Sequence, residues 1–197
     1  DDLIFSNIKK GEVVYLSNPG NPTCKLYSDI NLLEVVKEYT ESLFIIDLAY
    51  IEFEDPFNLS IFKDYKNVVF IRTFSKFWGL AGARLGAMIY PQDSKLSPLY
   101  QALNSKNLTR QHIALLDDLN SEKNNIIQLR QEEKIKLAEI SNIITAKFDL
   151  KTQQSGNFIR FDCSNLQTKA DLERYFIDLT ISVRDLSHLA KFTNSLR

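Results

Sequence analysis

The stretch Arg72-Thr73-Phe74-Ser75-Lys76-Phe77-Trp78-Gly79-Leu80-Ala81-Gly82-Ala83-Arg84 lies between two apolar runs, Val68-Val69-Phe70-Ile71 and Leu85-Gly86-Ala87-Met88-Ile89-Tyr90. Short runs rich in β-branched and aromatic residues read as buried strands, and the glycine-bearing segment between them as a turn. A chain with this stretch is committed to a sheet. At one strand end it carries a lysine, two hydroxyls and an arginine. That set suits an aldehyde bearing a phosphate: the amine condenses with the carbonyl, and the hydroxyls and guanidinium take the anion.

The upstream sequence repeats the strand-then-polar pattern. Glu12 to Leu16 reads as a short buried strand, followed by Ser17-Asn18-Pro19-Gly20-Asn21-Pro22-Thr23, a rigid loop with two prolines and a glycine. Ser28 or Asp29 caps a helix with Leu32, Leu33, Val36 and Tyr39 on one face. Leu43 to Asp47 is a strand that ends on a carboxylate, and Val68 to Arg72 and Leu85 to Tyr90 are two more. Strands separated by helical or loop segments predict an α/β sheet with substantial parallel pairing. Ligands of such sheets gather outside the strand ends. Asn21, Asp47, Ser75 and Lys76 each follow a strand, so one site collects them.

From about Asn107 the character changes. A long charged helical stretch runs to about Lys147, with Ile126, Ile127, Ile140, Ile143 and Ile144 as apolar members. Strands are expected at Gly156 to Phe161 and Thr180 to Val183, with a helix at Lys169 to Phe176 between them. The expected organisation is part of a large, mostly parallel-sheet domain over residues 1–118. Residues 119–197 would supply a linking helix and part of a smaller α+β domain.

Bulk properties exclude several classes. The formal net charge of the 197 residues is -1, which leaves no electrostatic footprint for nucleic acid. No apolar segment is long enough to span a bilayer. Cys24 and Cys163 are too few and too separate for a disulfide framework or a structural zinc site. They read as free thiols of a reducing compartment, so the expected location is cytoplasmic, with no metal, nucleic acid or membrane partner.

The aldehyde that fits the opening motif is pyridoxal 5'-phosphate, which supplies an electron sink that the protein holds and tunes. A carboxylate beside its pyridine nitrogen favours the protonated ring, and Asp47 is the candidate. Tyr50 is placed near the ring's 3-oxygen, and Asn21 can donate to the same atom. With Asp47, Tyr50 and Lys76 named, the chain resembles the class I/II aminotransferases, especially the histidinol-phosphate aminotransferase branch. Asn18-Pro19-Gly20-Asn21-Pro22-Thr23 is similar to the family's Asn-Pro-x-Asn-Pro-Thr-Gly loop. Asp47-Leu48-Ala49-Tyr50 is similar to its Asp-Glu-Ala-Tyr segment, and Ile51-Glu52-Phe53 continues the branch pattern. Thr73-Phe74-Ser75-Lys76 matches the Schiff-base motif, and Gly82-Ala83-Arg84-Leu85-Gly86 the arginine segment.

That resemblance implies the pyridoxal-phosphate transferase fold type I, a homodimer, and transfer of an amino group from a small-molecule donor to a keto or other carbonyl acceptor. It implies that Asn21 and Tyr50 contact the 3-oxygen and Asp47 the pyridinium. Thr73, Ser75 and Arg84 bind phosphate, and Lys76 is the Schiff-base lysine and proton carrier. Ser182-Val183-Arg184-Asp185 and Leu196-Arg197 resemble later segments, which makes Arg197, helped by Arg184, the binder of the substrate's carboxylate or phosphate. A decarboxylase of phosphorylated amino acids resembles the same branch and is the alternative. Aminotransferase-like domains in transcription regulators give a third reading, as a binding module.

Each residue alone has a plainer reading: Lys76 as a solvated lysine, Asp47 as a strand-end turn residue, Tyr50 as a packing residue, Arg84 as an ion-pair partner. Asn21 is an ordinary loop former. His112 reads as structural or solvent-facing near a helix start, and Trp78 as packing the turn after Lys76. Cys24 stands where the family has glycine, and Leu48 where it has glutamate. The chain starts Asp1-Asp2-Leu3 and stops at Arg197. It matches only part of the family's length, so the 197 residues alone are expected to be inactive or poorly soluble.

Overall fold

A computed structural model describes residues 5–54, 56–91, 108–162, 167–168, 170–172 and 174. Four strands form one sheet in the order β1-β2-β3-β4: β1 (Val13–Ser17), β2 (Leu43–Asp47), β3 (Val68–Thr73) and β4 (Gly86–Ile89). β1 pairs parallel with β2 and β2 with β3, whereas β4 returns antiparallel to β3. Helix α1 (Asp29–Glu38) makes the crossover from β1 to β2. A parallel neighbour needs such a long connection. β3 and β4 are joined only by a loop with a single 3-10 turn at Ala81–Ala83, and the chain folds straight back.

Local chemistry sets these elements. The Ser28 hydroxyl accepts from Asn31 N at 3.1 Å and caps α1; Asp29 in the first turn and Lys37 in the last complement the helix dipole. Leu32 and Val36 then point into a core with Phe44, Ile46, Phe62, Val68 and Phe70, each no more than 3% exposed. Alternation within β2 sends Phe44 and Ile46 to that core and Leu43, Ile45 and Asp47 to the other face. On that other face, opposite α1, Val13 and Tyr15 of β1 are 63% and 59% exposed.

The second region begins with α2 (Arg110–Phe148). Thr109 and His112 form a reciprocal capping box, the Thr109 hydroxyl accepting from His112 N and His112 Nδ1 from Thr109 N. His112 is thus structural, as expected. Strands β5 (Lys151–Ser155) and β6 (Phe158–Asp162) pair antiparallel behind it. Ile144, Leu150 and Leu172 make a small core with Ile140, Phe148 and Phe161.

Two sequence expectations shift. β5 is Lys-Thr-Gln-Gln-Ser, too polar to announce itself. Gly156 belongs to the turn between the strands, at φ 60°, and not to β6. α2 runs unbroken past residues 118 and 119. The strand expected at 180–183 lies outside the described residues. No helix among the described residues is long and apolar enough to cross a membrane.

Candidate active site

Parallel pairing brings Ser17, Asp47 and Thr73 to one end of the sheet, and the loops that follow β1, β2 and β3 meet there. The first of these loops is anchored by Asn18, a residue sequence reasoning noted only as part of a motif. Fully buried, its side chain accepts from Tyr27 N at 2.8 Å and donates to Tyr27 O at 2.9 Å, while its own N–H donates to Asp47 O at 2.8 Å. An asparagine buried without those bonds would be costly, so the loop geometry depends on them. Gly20 N donates to Lys25 O and Cys24 N to Gly20 O, both at 2.8 Å. A Cβ at Gly20 would collide with Thr23 Oγ1. Cys24 sits at φ 58°, a left-handed conformation that favours glycine. The residue is 2% exposed, and desolvation pushes its thiol pKa above the ordinary value, against the opposing pull of Arg160.

Asn21, at the exposed tip of this loop, donates from Nδ2 to the Tyr50 phenol oxygen at 3.1 Å. Lys76 Nζ lies 5.4 Å from the centre of the Tyr50 ring. Asn21, Tyr50 and Lys76 therefore converge from three different loops. Asp47, at the end of β2, accepts from Ala49 N at Oδ1 (2.9 Å) and from the Tyr15 hydroxyl at Oδ2 (2.5 Å). Sequence reasoning did not single out Tyr15. The pairing register reveals it: in a strand paired parallel with β2, a residue two before Ser17 shares a face with Asp47. Partial desolvation and the Asp47 carboxylate raise the Tyr15 phenol above its ordinary 10.0.

Thr73 Oγ1 accepts from Ser75 N at 3.1 Å and donates to Leu85 O at 3.4 Å, which shapes the lysine loop. Phe74 N donates to Leu85 O, and Leu80 N to Phe74 O, closing that loop into a compact turn. Arg84 leaves it at φ 54°, with Nη1 3.5 Å from Ala81 O. The structure thus joins Thr73 to Ser75, and Asn21 to Tyr50 beside Lys76. Asp47 and Arg84 share the loops of these residues without a direct bond to them. Arg184 and Arg197 lie outside the described residues, as do Cys163 and His188.

Strand alternation separates Arg72 from this group. It points to the opposite face, where Nε and Nη2 donate to Glu52 Oε1 at 3.1 and 2.7 Å. Leu48, fully buried, packs in the core on that side too. Trp78 packs edge-on against Phe77 at 5.0 Å. Two clefts of about 330 and 370 Å³ flank the Glu52–Arg72 pair, and of the site candidates only Thr73 lines one of them. Asn21, Lys76 and Arg84 are exposed, and Asp47, Tyr50, Thr73 and Ser75 are half-buried.

The family model for aminotransferase class I and II matches residues 2–197. A histidinol-phosphate aminotransferase of Ruminiclostridium cellulolyticum is 31% identical over 196 residues, covering 96% of this chain and 52% of that protein. Histidinol-phosphate aminotransferase 1 of Archaeoglobus fulgidus is 28% identical over 202 residues, covering 100% of the chain and 59% of the relative. The crystal structure of histidinol-phosphate aminotransferase from Sinorhizobium meliloti in complex with pyridoxal-5'-phosphate superposes with a TM-score of 0.73 at 24% identity, covering 87% of this chain and 48% of that one. The structure of L-threonine-O-3-phosphate decarboxylase from Porphyromonas gingivalis gives 0.71 at 19% identity, covering 93% and 56%. At those identities the superpositions establish the fold alone, the pyridoxal-phosphate fold type I. The chain spans about half the length of the curated relatives it matches.

Proposed function

The chain belongs to the class I and II aminotransferase family, and from that premise we propose that it serves pyridoxal-phosphate-dependent transfer of an amino group between an amino acid and a keto acid or small carbonyl compound. A phosphorylated substrate of the histidinol-phosphate type is the first to test. The observation that carries the reading is the convergence of Asn21, Tyr50 and Lys76 beside a doubly anchored Asp47.

The donor set fits the cofactor group by group. Ala49 N and the Tyr15 hydroxyl fix both Asp47 oxygens, and each oxygen keeps a lone pair for a ring nitrogen. A carboxylate so placed favours the cationic ring. The Tyr50 oxygen accepts from Asn21, so its own hydrogen is left to donate to a phenolic oxygen. Ser75 and Thr73 bring hydroxyls, and Arg84 brings a planar guanidinium suited to paired bonds with phosphate. When bound, pyridoxal phosphate supplies the electron sink. With the cofactor bound, the exposed Lys76 would hold its carbonyl carbon and then move a proton from the substrate's α-carbon to that same carbon. Arg184 and Arg197 are proposed to bind the substrate's anion. A homodimer, a cytoplasmic location and a division into residues 1–118 and 119–197, with α2 as the helix that links the two parts, complete the proposal.

The test is an absorption spectrum with pyridoxal phosphate before and after borohydride, followed by peptide mass mapping. A visible band that reduction fixes on Lys76 supports the reading. Lys76→Ala is expected to cut turnover by about 10²–10⁴-fold or more while leaving the fold intact. Full turnover in Lys76→Ala, or modification of another lysine, overturns it. Carbon dioxide release without a keto acid acceptor would replace transfer by decarboxylation.

A further inference from the structure

The β5–β6 hairpin reaches back to the site from more than a hundred residues downstream. Its turn presses on Tyr50. Gly156 adopts φ +60°, and a Cβ there would meet Tyr50 Cβ and Cδ1 at 3.2 Å. Phe158 packs edge-on against the Tyr50 ring at a centroid distance of 5.2 Å. Tyr50 therefore meets the hairpin as well as Asn21 and Lys76. One side chain, Glu54, fastens the hairpin in this position. Four residues after Tyr50 and only 11% exposed, it accepts at Oε1 from Ser155 Oγ (2.8 Å) and Gly156 N (2.5 Å). Its Oε2 lies 3.8 Å from Lys134 Nζ of α2, which itself donates to Phe53 O at 3.0 Å. A largely buried carboxylate with charge-assisted bonds to a backbone amide and a hydroxyl makes a strong and directional fastening.

We propose that Glu54 is a positioning residue for Tyr50: by holding the Ser155–Gly156 turn, it keeps the hairpin against the ring and the phenol aimed at the cofactor. The small β5–β6 unit then acts as a wall of the site as well as an appendage of α2. Gln153 and Arg160 extend the same wall, donating to Cys24 O and Thr23 O, each at 3.4 Å, in the loop that carries Asn21. The geometry stands by itself. Its catalytic consequence rests on the cofactor reading above.

The experiment compares Glu54→Ala and Glu54→Gln in the full chain by three readouts. Two need no cofactor: hydrogen exchange at Gly156 N–H, and the ring resonances of isotope-labelled Tyr50, identified by their loss in Tyr50→Phe. The third is the pH midpoint of the visible band with pyridoxal phosphate. In Glu54→Ala, Gly156 exchange should rise about tenfold or more. The Tyr50 resonances should move as the Phe158 contact loosens, and the midpoint should shift. Glu54→Gln keeps an acceptor oxygen and should restore all three most of the way. Unchanged exchange and resonances in Glu54→Ala overturn the inference. So does a loosened hairpin with an unmoved band, which would leave Glu54 merely structural. If Glu54→Ala does not fold, Ser155→Ala removes one donor only and should give the same changes at smaller amplitude; no change there also overturns the inference. A wild-type chain with no band at all rejects the cofactor reading, and the first two readouts still decide whether Glu54 positions Tyr50.

Discussion

Phe44, Ile46, Val68 and Phe70 of β2 and β3 are each no more than 3% exposed, whereas the 39 residues of α2 bury only Ser141 and Ile144. The sheet with α1 is held by a contiguous apolar core. The α2–hairpin region has a core of three buried residues, and it meets the site loops through polar contacts as well as the packing of Phe158 on Tyr50. Arg130 Nε donates to Phe77 O at 2.7 Å, Lys134 Nζ to Phe53 O at 3.0 Å, and Glu54 accepts from the hairpin turn. Burial stabilises without direction, while hydrogen bonds fix geometry. The difference therefore separates the part that makes the site exist from the part that trims it.

The largest effect should come from the first region. Phe70 packs edge-on against Phe62 at 4.9 Å within the core. Phe70→Ala is expected to cost about 3–5 kcal/mol. Ile143→Ala, on a residue of α2 that is 56% exposed, should stay within about 0.5 kcal/mol. Urea denaturation of both variants checks the contrast, and similar losses would break it.

Legibility in the sequence follows the same divide. β2 and β3 alternate or run apolar because a core covers them, so their bounds were readable almost to the residue, and with them the strand ends where Asp47, Thr73, Ser75 and Lys76 stand. The Lys-Thr-Gln-Gln-Ser strand carries no such pattern, since it is held by pairing with β6 and by Thr152 and Ser155 hydroxyls. Long-range bonds were equally hidden. Nothing in the spacing of Tyr15 and Asp47, 32 residues apart, or of Glu54 and Gly156, 102 apart, announces a contact until the topology is known. The motif Asn18 to Thr23 was legible as chemistry, but the role of Asn18 as the buried anchor of that loop was not.

A middle-sized effect tests the polar seam. Arg130 is 24% exposed at its side chain; besides Phe77 O it bonds Glu133, and its Nη2 is the nearest atom to a Cβ built at Gly79, at 3.4 Å. Arg130→Gln should cost about 1–2 kcal/mol. The loss should appear as faster hydrogen exchange at Gly79 and Leu80 of the lysine loop, with exchange in β2 unchanged. Uniform acceleration across the sheet would mean that the two regions share one cooperative core after all.

The smallest effect is one of alkaline pH, and it too distinguishes the regions. Three groups are held toward their protonated forms: Cys24 by desolvation, Tyr15 by desolvation and the Asp47 carboxylate, and Tyr39 by desolvation and Glu38. All lie before β2, and residues 110–162 contain neither tyrosine nor cysteine. A raised folded pKa means that the unfolded chain gives up its proton first, so stability is complete below the unfolded value and is lost as pH rises through the folded one. For the tyrosines that loss begins near their ordinary 10.0. Denaturation from pH about 8 to about 11 should therefore show the sheet region weakening at the upper end. Tyr15→Phe should flatten part of that slope and leave Tyr39 and Cys24 to supply the rest, with little change at neutral pH, because Tyr15 is 59% exposed and an exposed polar contact contributes little to stability. An identical slope in Tyr15→Phe would show that its hydroxyl is not bound to Asp47 in solution, and the carboxylate would then be anchored through Ala49 N alone.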